Sequence, residues 1–235
     1  MEERQLIDNY NAVKTRVEKA CERAGRDPGS VTIVAVSKTK PLEMIEELAA
    51  QGVMDFGENY VQELAAKADA VRHAVRWHYI GHLQTNKVKQ VLGRASVIHS
   101  VDSFHLAQAI SREAEKRGIE NVDILIEINI GKEASKSGVA EEEAETLLRQ
   151  IVTLPRLCVR GLMSIAPFVD DPEENRGHFK RLEALRRKLQ AEDLPNAPLT
   201  ELSMGMTGDF EVAVEEGATF VRVGTAIFGA RDYTV

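Results

Sequence analysis

The sequence predicts an α/β fold in which eight parallel strands close into a single (β/α)8 barrel of the TIM type, preceded by one additional helix. Short apolar runs alternate eight times with amphipathic segments, at a spacing that suits a strand followed by its helix. The length of 235 residues also suits a barrel of about 250 residues. We therefore expect one domain over residues 1–235. An open, doubly wound sheet is the alternative, but it requires a break in this rhythm that the sequence does not show.

The segment 4–24 predicts the additional N-terminal helix. Apolar residues recur in it every three or four positions, with charged residues between them. Gly25 suits the C-terminal end of this helix, and residues 27–29 are typical of a turn. An apolar strand at 31–37 and a helix from Pro41 then form the first strand–helix unit.

The remaining units repeat this pattern. The fifth strand is continuously apolar, which indicates burial on both of its faces. Asp102 and Ser103 supply capping side chains for the helix after the fourth strand, and Asp171 with Pro172 begins the helix after the sixth. The predicted strands of these units cover residues 53–56, 77–80, 96–101, 122–130, 157–165, 200–204 and 219–223.

Composition excludes several classes of function. The net charge of -7 argues against a general nucleic-acid binder, which normally has a basic face. The two cysteines lie far apart without a CxxC pair, which is typical of a reduced, cytoplasmic protein. The N-terminus lacks the apolar core of a signal peptide, and no apolar run approaches the ~20 residues that cross a membrane. The histidines lack the spacing of a zinc site, so we expect no metal.

The stretch VTIVAVSKTKP, residues 31–41, is the most informative for chemistry. Strand residues alternate between two faces, so Val34, Val36 and Lys38 share one face. If that face lines a barrel, Lys38 lies at the mouth with its ammonium partly desolvated. Such a lysine loses its proton more readily and can attack carbonyl compounds. Taken alone, however, the segment is more typical of a lysine that only ends a strand, and we expect Lys40 in solvent.

The last two strands indicate a phosphate site. Ser203 and Gly205 share a face in LSMGMTGD, as Arg222 and Gly224 do in FVRVGTAIFG, where Thr225 adds a hydroxyl and an amide. Loops after the seventh and eighth strands form the usual phosphate site of this fold. Glycines that merely permit tight turns are the alternative, and both interpretations stay open.

Arg222 is a charged residue inside an otherwise apolar strand. A buried arginine needs acceptors for its hydrogen bonds. Either a carboxylate of a neighbouring strand, such as Glu127 or Glu201, or a bound ligand supplies them.

Several segments together resemble the pyridoxal phosphate homeostasis protein family. They are AVSKTKP, DFGENYVQE, WHYIGHLQTNK, GLMSIAP and LSMGMTGDFEVAVEEGATFVRVGTAIFG. The resemblance spans nearly the whole chain. That family has the fold of the alanine racemase N-terminal domain, the barrel of fold-type III pyridoxal phosphate proteins. The resemblance therefore implies a barrel that binds pyridoxal 5′-phosphate.

The resemblance also assigns roles to residues. It places the Schiff-base lysine at Lys38 and an arginine facing the pyridine nitrogen at Arg222. An arginine stays protonated, so it donates to that nitrogen and makes the ring a weaker electron sink. Asn59 falls near the ring, and three residues line the pocket, His82, Met163 and Ser164. The phosphate ligands fall on the side chains or backbone amides of Ser203, Met204, Gly205, Gly224 and Thr225.

The implied function is homeostasis of the cofactor rather than catalysis. The protein would hold pyridoxal 5′-phosphate on Lys38 and buffer it or deliver it to apo-enzymes, as a cytoplasmic monomer. An alanine racemase takes its second base, a tyrosine, from a C-terminal domain of the partner subunit. This sequence ends at Val235 with Tyr233 in its tail, so we expect no efficient racemase. A weak amino-acid racemase and a Schiff-base aldolase acting on a phosphorylated substrate stay open as alternatives.

Overall fold

The computed structural model describes residues 3–131 and 137–230. Its eight parallel strands follow one another in chain order around a closed barrel, and the last strand pairs with the first. This closure confirms the predicted architecture and rules out the open sheet. The strands are β1 (Thr32–Val36), β2 (Asp55–Glu58), β3 (Arg76–Tyr79), β4 (Ala95–Val101), β5 (Val122–Glu127), β6 (Leu157–Met163), β7 (Glu201–Ser203) and β8 (Phe220–Val223).

Helices precede the barrel and follow its strands. The Ser103 side chain accepts a hydrogen bond from Leu106 N, and Asp171 accepts one from Glu173 N, so these two predicted residues do cap, whereas Asp102 makes no capping hydrogen bond among the described residues. Within the described residues, no helix is both long enough and apolar enough to cross a membrane. The helices are α1 (Glu3–Arg23), α2 (Leu42–Ala50), α3 (Val61–Ala70), α4 (Val88–Val91), α5 (Phe104–Arg117), α6 (Ala144–Ile151), α7 (Arg176–Gln190), α8 (Phe210–Glu215) and α9 (Thr225–Phe228).

Most strand boundaries differ from the prediction by one to three residues, and for three of them the backbone shows the reason. β1 ends at Val36, one residue early, where the chain enters a turn. β2 begins two residues late, because Val53 N still donates to Leu48 O in the last turn of α2. β5 ends at Glu127 rather than at residue 130. After Ile128, the chain leaves β6, and Asn129 N donates to Val139 O instead.

The helices and the outer face of the barrel enclose the main apolar core. Outward-facing strand residues such as Ile33, Ala35 and Phe56 are buried in this core. The additional helix α1 packs on α2, α8 and α9, so it covers the side of the barrel where β8 meets β1. Four of the six residues that its periodicity predicts are buried, Leu6, Val13, Val17 and Ala20, whereas Tyr10 is half-buried and Ala24 is exposed at the end of the helix.

The interior of the barrel is much more polar. A Cβ atom on Gly57 would lie 2.9 Å from Val34 and 3.5 Å from Val36, so both valines face inward as their alternation predicts. Inward-facing residues of adjacent strands lie side by side, and the following pairs are in register: Val34 with Arg222, Gly57 with His78, Glu127 with Met163, and Met163 with Ser203.

Candidate functional site

A cavity of ≈ 530 Å³ opens where the strands end and the strand–helix loops begin. This is the face on which barrels of this architecture bind their ligands. We call it the barrel cavity. Its lining comes from the ends of six strands and the segments that follow them, and comprises Val36, Lys38, Lys40, Asn59, Ile80, Ile165, Pro167, Phe168, Val169, Asn175, Met206, Thr207, Gly208, Asp209, Arg222, Gly224, Thr225 and Gly229.

Lys38 reaches the barrel cavity from a turn rather than from a strand. Lys40 N donates to Ser37 O at 3.0 Å, which closes a turn with Lys38 and Thr39 at its centre. Lys38 is half-buried and lines the cavity together with Val36. The alternation of β1 therefore indicated the correct mouth of the barrel, although the strand ends before Lys38.

Lys40 is not simply solvated, contrary to the prediction. It is half-buried, lines the same cavity and donates from Nζ to Ala230 O at 2.9 Å. The turn at residues 37–40 directs this lysine towards the segment that follows β8. Both lysines of the SKTK sequence therefore belong to the wall of the cavity.

Arg222 lies in the inner wall of the cavity, and its side chain is almost completely buried. Its guanidinium donates to Ser203 Oγ at 2.7 Å and to the Ser164 carbonyl at 2.8 Å. Burial lowers the pKa of Arg222 to about 10, against the opposing charges of Glu127 and Asp209, so the group is cationic at neutral pH.

Neither carboxylate considered from the sequence pairs with this arginine. No ion pair joins Arg222 to Glu127, Glu201 or any other carboxylate in the part of the chain that the structure describes. A serine hydroxyl and a backbone carbonyl take that place. No other acceptor among the described residues binds the guanidinium, so its remaining N–H groups can donate to a ligand in the cavity.

Ser203 joins Arg222 to a buried chain of hydrogen bonds. Ser203 Oγ lies 2.9 Å from His99 Nδ1, His99 Nε2 lies 2.9 Å from His78 Nδ1, and His78 Nε2 lies 3.0 Å from Asp55 Oδ1. Burial lowers the pKa of His99 well below its usual range, with help from the neighbouring His78 and Arg222, so this ring is neutral. We call Arg222, Ser203, His99, His78 and Asp55 the interior chain.

The chemistry of its two ends limits how the interior chain is bonded. A guanidinium can only donate and an ionised carboxylate can only accept, so Arg222 donates to Ser203 and His78 donates from Nε2 to Asp55. The neutral His99 ring has a single N–H group, so it donates to one of its two neighbours, Ser203 and His78, and accepts from the other.

Asp55 completes the chain at the opposite mouth of the barrel. Arg76 donates to its two oxygens at 2.8 and 2.6 Å. Burial acts to raise the pKa of Asp55, but the hydrogen bonds from His78 and Arg76 outweigh it and lower the pKa. Asp55 is therefore ionised at neutral pH and can only accept from His78.

The predicted phosphate residues divide into two groups. Gly224 and Thr225 line the cavity. Ser203 and Met204 are fully buried beneath it, Ser203 within the interior chain and Met204 in the apolar core. The Gly205 carbonyl accepts a hydrogen bond from Arg222 N.

The β7 side of the cavity is instead formed by Met206, Thr207 and Gly208, which the sequence prediction did not assign to the site. β7 ends at Ser203, one residue before the predicted end, and the loop reaches the cavity three residues further on, at Met206. The available signal was a Thr-Gly pair just before a helix, where backbone amides point outwards. The amides of Thr207, Gly208 and Thr225 have no acceptor within residues 3–131 and 137–230.

Two side chains hold this loop in place. Asp209 Oδ1 accepts from Met206 N at 2.7 Å, and Asp209 Oδ2 accepts from Asn175 Nδ2 at 2.8 Å. Asn175 Nδ2 also donates to the Pro167 carbonyl at 2.9 Å. Asn175 therefore connects the loop after β6 with the loop after β7.

The other pocket residues suggested by the resemblance lie at different depths. Asn59 lines the cavity, and its buried Oδ1 has no hydrogen-bond partner among the described residues. The same holds for the buried Ser164 Oγ, and Met163 faces the barrel interior. The His82 side chain is largely exposed, and its Nδ1 lies 3.9 Å from Asp102 Oδ2. Because buried polar atoms are normally paired, the orphan Asn59 oxygen indicates that a ligand or solvent completes this wall.

The mouth of the cavity carries exposed apolar side chains that the sequence did not single out. Phe168 is 94% exposed, and Ile165 and Met206 are exposed beside it. Tyr233, considered as a possible second base, lies outside the described residues. Within those residues, no cluster of three or more His, Cys, Asp or Glu side chains is placed to hold a metal ion.

The chain is similar to known proteins over nearly its whole length. Residues 9–232 match the family model described as alanine racemase, N-terminal domain. The chain is 45% identical to the pyridoxal phosphate homeostasis protein of Aquifex aeolicus, over 96% of this chain and 98% of that protein. It is 41% identical to the protein of the same name from Pseudomonas aeruginosa, over 97% of this chain and 96% of that protein.

Solved structures agree with the fold. An unknown protein from Bifidobacterium adolescentis has a TM-score of 0.90 and 40% identity, over 96% of this chain and 95% of that one. PipY of Synechococcus elongatus, solved with pyridoxal phosphate bound, has a TM-score of 0.79 and 36% identity, over 91% of this chain and 100% of that one. Alanine racemase of Clostridium difficile has a TM-score of 0.75 at 15% identity, over 98% of this chain and 58% of that one, which shows a shared fold alone.

Proposed function

The chain belongs to the pyridoxal phosphate homeostasis protein family, and from this membership we propose that it binds pyridoxal 5′-phosphate as a Schiff base on Lys38. We further propose that it buffers or delivers the cofactor, to apo-enzymes that use it, without catalytic turnover. The first part concerns the chemistry of the barrel cavity, and the second concerns what the protein does with the bound molecule.

The donor set of the cavity supports the first part. The ligand carries an aldehyde, a phosphate and a pyridine nitrogen, and each has a suitable group in the wall. Lys38 offers an amine to the aldehyde. The unoccupied amides of Thr207, Gly208 and Thr225 suit the phosphate, and the cationic Arg222 offers N–H groups to the nitrogen. The single observation that carries the proposal is this convergence of Lys38, Arg222 and Thr225 on one cavity.

The identity of the residue opposite the pyridine nitrogen supports the second part. Bound pyridoxal phosphate can supply an electron sink for reactions of amino acids. Arg222 remains protonated, so it donates a hydrogen bond and does not deliver a proton to the ring nitrogen. That arrangement favours holding the cofactor over activating it. The name of the curated relatives, which the chain covers almost completely, agrees with this role.

Covalent attachment is tested by comparing Lys38→Ala with Lys40→Ala, its matched control in the same turn. After incubation with pyridoxal phosphate and borohydride reduction, the wild type and Lys40→Ala should each gain one cofactor mass, whereas Lys38→Ala should gain none. The absorption band of the Schiff base should likewise appear in the wild type and in Lys40→Ala and be absent from Lys38→Ala. An adduct that survives in Lys38→Ala and disappears in Lys40→Ala would move the attachment to Lys40.

The absence of turnover needs a separate measurement. Chiral chromatography of alanine and other amino acids, after long incubation with the loaded wild type, should show no interconversion at an enzymatic rate. Racemisation faster than about 1 per second would refute the non-catalytic role. Size-exclusion chromatography with light scattering tests the expected monomer.

A further inference from the structure

The turn that carries Lys38 has an unusual backbone. Thr39, at its third position, has a φ of +62°. A residue with a branched Cβ rarely adopts this left-handed conformation, which usually belongs to glycine or asparagine. Such a conformation persists only where the surrounding structure holds it. The contacts around Lys38 therefore need an explanation.

Lys67 makes the central contacts to this turn. It lies on α3, and its side chain is almost fully buried. Its Nζ donates to Ser37 O, Glu58 Oε1 and Glu63 Oε2, each at 2.8 Å. An ammonium has three N–H groups, so these acceptors engage all of them.

The two carboxylates extend the same contacts to both sides of Lys38. Glu58 Oε1 also accepts from Ser37 Oγ at 2.6 Å. Glu63 Oε2 also accepts from Thr39 N at 2.7 Å. Lys67, Glu58 and Glu63 thus fix the residue before Lys38 and the residue after it, and we call them the turn clamp.

Stability alone does not account for the turn clamp. Glu58 is fully buried, and its burial raises the pKa of the carboxyl against the opposing effects of Lys67 and Ser37. Burying an ion pair costs desolvation that apolar side chains of similar size would avoid. Directional hydrogen bonds to a backbone segment, by contrast, define the orientation of what that segment carries.

We propose that Lys67 is a positioning residue for Lys38, acting through Ser37, Glu58 and Glu63 to hold the strained turn that presents the Lys38 amine to the barrel cavity. The inference rests on the proposed function, because it assigns a role in the step on Lys38. In that step, Lys38 Nζ joins the aldehyde carbon as C=N, and the aldehyde oxygen leaves as water. An amine that is held in one orientation reacts with the aldehyde carbon faster than an amine that samples many orientations.

The proposal separates covalent from non-covalent binding. The groups proposed for the phosphate and the ring, on Thr207, Thr225 and Arg222, belong to β8 and to the loops after β7 and β8, and no hydrogen bond among the described residues joins them to the turn clamp. Loosening the turn should therefore slow the formation of the Schiff base and leave non-covalent affinity unchanged. Pyridoxine phosphate reports the second quantity, since its alcohol cannot form a Schiff base.

The experiment compares Lys67→Met with the wild type in their reaction with pyridoxal phosphate and in their binding of pyridoxine phosphate. The rate constant for adduct formation, followed by absorbance and by mass after borohydride trapping, should fall at least about tenfold. The dissociation constant of pyridoxine phosphate, measured by calorimetry, should change less than about twofold. Lys89→Met removes an exposed lysine of α4 and should match the wild type in both measurements.

Glu63 supplies a second test that leaves the buried pair of Lys67 and Glu58 in place, should Lys67→Met fail to fold. Glu63→Leu removes the acceptor of Thr39 N and should slow adduct formation at least about threefold. Glu63→Gln keeps an acceptor oxygen and should restore most of the rate.

Two results would overturn the inference. One is an unchanged rate in the folded variants Lys67→Met and Glu63→Leu. The other is a loss of pyridoxine phosphate affinity equal to the loss of rate, which would mean that the clamp supports the whole cavity. A wild type that forms no adduct would instead refute the proposed function itself, and the inference with it.

Discussion

At the scale of single residues, Glu127 couples stability to pH. It lies in the barrel interior and is almost fully buried. Burial and the neighbouring Asp102 raise its pKa from 4.5 to about 7, while Arg222 opposes the shift. At pH values between these two pKa values, Glu127 is protonated in a larger fraction of the folded protein than of the unfolded chain. The stability linked to Glu127 is therefore complete below about pH 4.5 and is lost as the pH rises through 7.

Glu127→Gln should remove this pH dependence. Relative to the wild type, the variant should become more stable between pH 4.5 and pH 8, by on the order of 1–3 kcal/mol. Urea unfolding at several pH values measures the difference in the free energy of unfolding. Glu174→Gln, which changes an exposed carboxyl, serves as the control. A Glu127→Gln effect of the same size at every pH would contradict the assignment.

The interior chain makes a second prediction at this scale. In the ligand-free protein, nitrogen-15 spectra at pH 7 should show a neutral His99, with only one of its ring nitrogens protonated. Ser203→Ala removes a hydrogen-bond partner of His99 and an acceptor of Arg222, so it should cost about 1–3 kcal/mol of unfolding free energy. A His99 ring protonated on both nitrogens at pH 7 would contradict the effect of burial on its pKa.

At the scale of elements, the loop between β7 and α8 shows which of its glycines are required. Gly205 has a φ of +88°, and a Cβ there would lie 2.5 Å from Ala213 Cβ. Gly208, three residues later, has open space around it. Gly205 is therefore required both by its backbone conformation and by the close approach of Ala213, whereas the space around Gly208 would admit a side chain.

Gly205→Ala should destabilise the protein by about 2–4 kcal/mol, through overpacking and backbone strain together. Gly208→Ala should change the free energy of unfolding by less than about 0.5 kcal/mol. Chemical denaturation of the two variants and the wild type measures both values. Equal effects of the two substitutions would show that packing against Ala213 does not decide the cost.

The strands illustrate what periodicity can and cannot determine. Alternation along β1 indicated which residues face the barrel interior, because side-chain direction depends only on the local backbone. The end of β1 and the start of β2 depend on hydrogen bonds to distant segments, so a pattern of apolar residues could not fix them. The same limitation applies to the cavity. Lys38, Arg222, Gly224 and Thr225 were singled out and line it, whereas the loop from Met206 lines it without having been assigned to the site.

The partners of buried polar groups were beyond the sequence for a related reason. The position of Arg222 in an apolar strand predicts that its side chain needs hydrogen-bond acceptors. The sequence alone does not distinguish a carboxylate of a neighbouring strand from a serine hydroxyl as that acceptor. Only the register of β6, β7 and β8 brings Ser203 and Ser164 to Arg222. Lys67 shows the same limitation, since nothing in its helical pattern indicates a contact with residue 37.

At the scale of the whole molecule, the chain should unfold as one unit if it is the single domain that the sequence predicts. Its only tryptophan, Trp77, lies buried in β3 and reports on the barrel. Fluorescence and far-ultraviolet circular dichroism should therefore follow coincident transitions in denaturant. Two separated transitions would show that the helices and the barrel lose structure independently.

Ligand binding should stabilise the whole barrel, because the groups that line the cavity come from strands on opposite sides. At a free pyridoxal phosphate concentration of 100 times its dissociation constant, the gain should be about 2.7 kcal/mol. Thermal unfolding measures it as a rise in Tm. The same ligand concentration should stabilise Lys38→Ala less, and an equal gain in both proteins would contradict covalent attachment to Lys38.

The interior chain also constrains how this protein can evolve. Phe56 and Trp77 form an apolar pair in the outer core, with ring centroids 6.0 Å apart. Either residue of such a pair can be replaced alone if the replacement keeps the side-chain volume. The members of the interior chain cannot, because each replacement leaves a neighbour with a buried, unsatisfied atom. Among descendants of this sequence, Asp55, His78, His99, Ser203 and Arg222 should therefore be inherited or replaced as a set, while the core around them drifts.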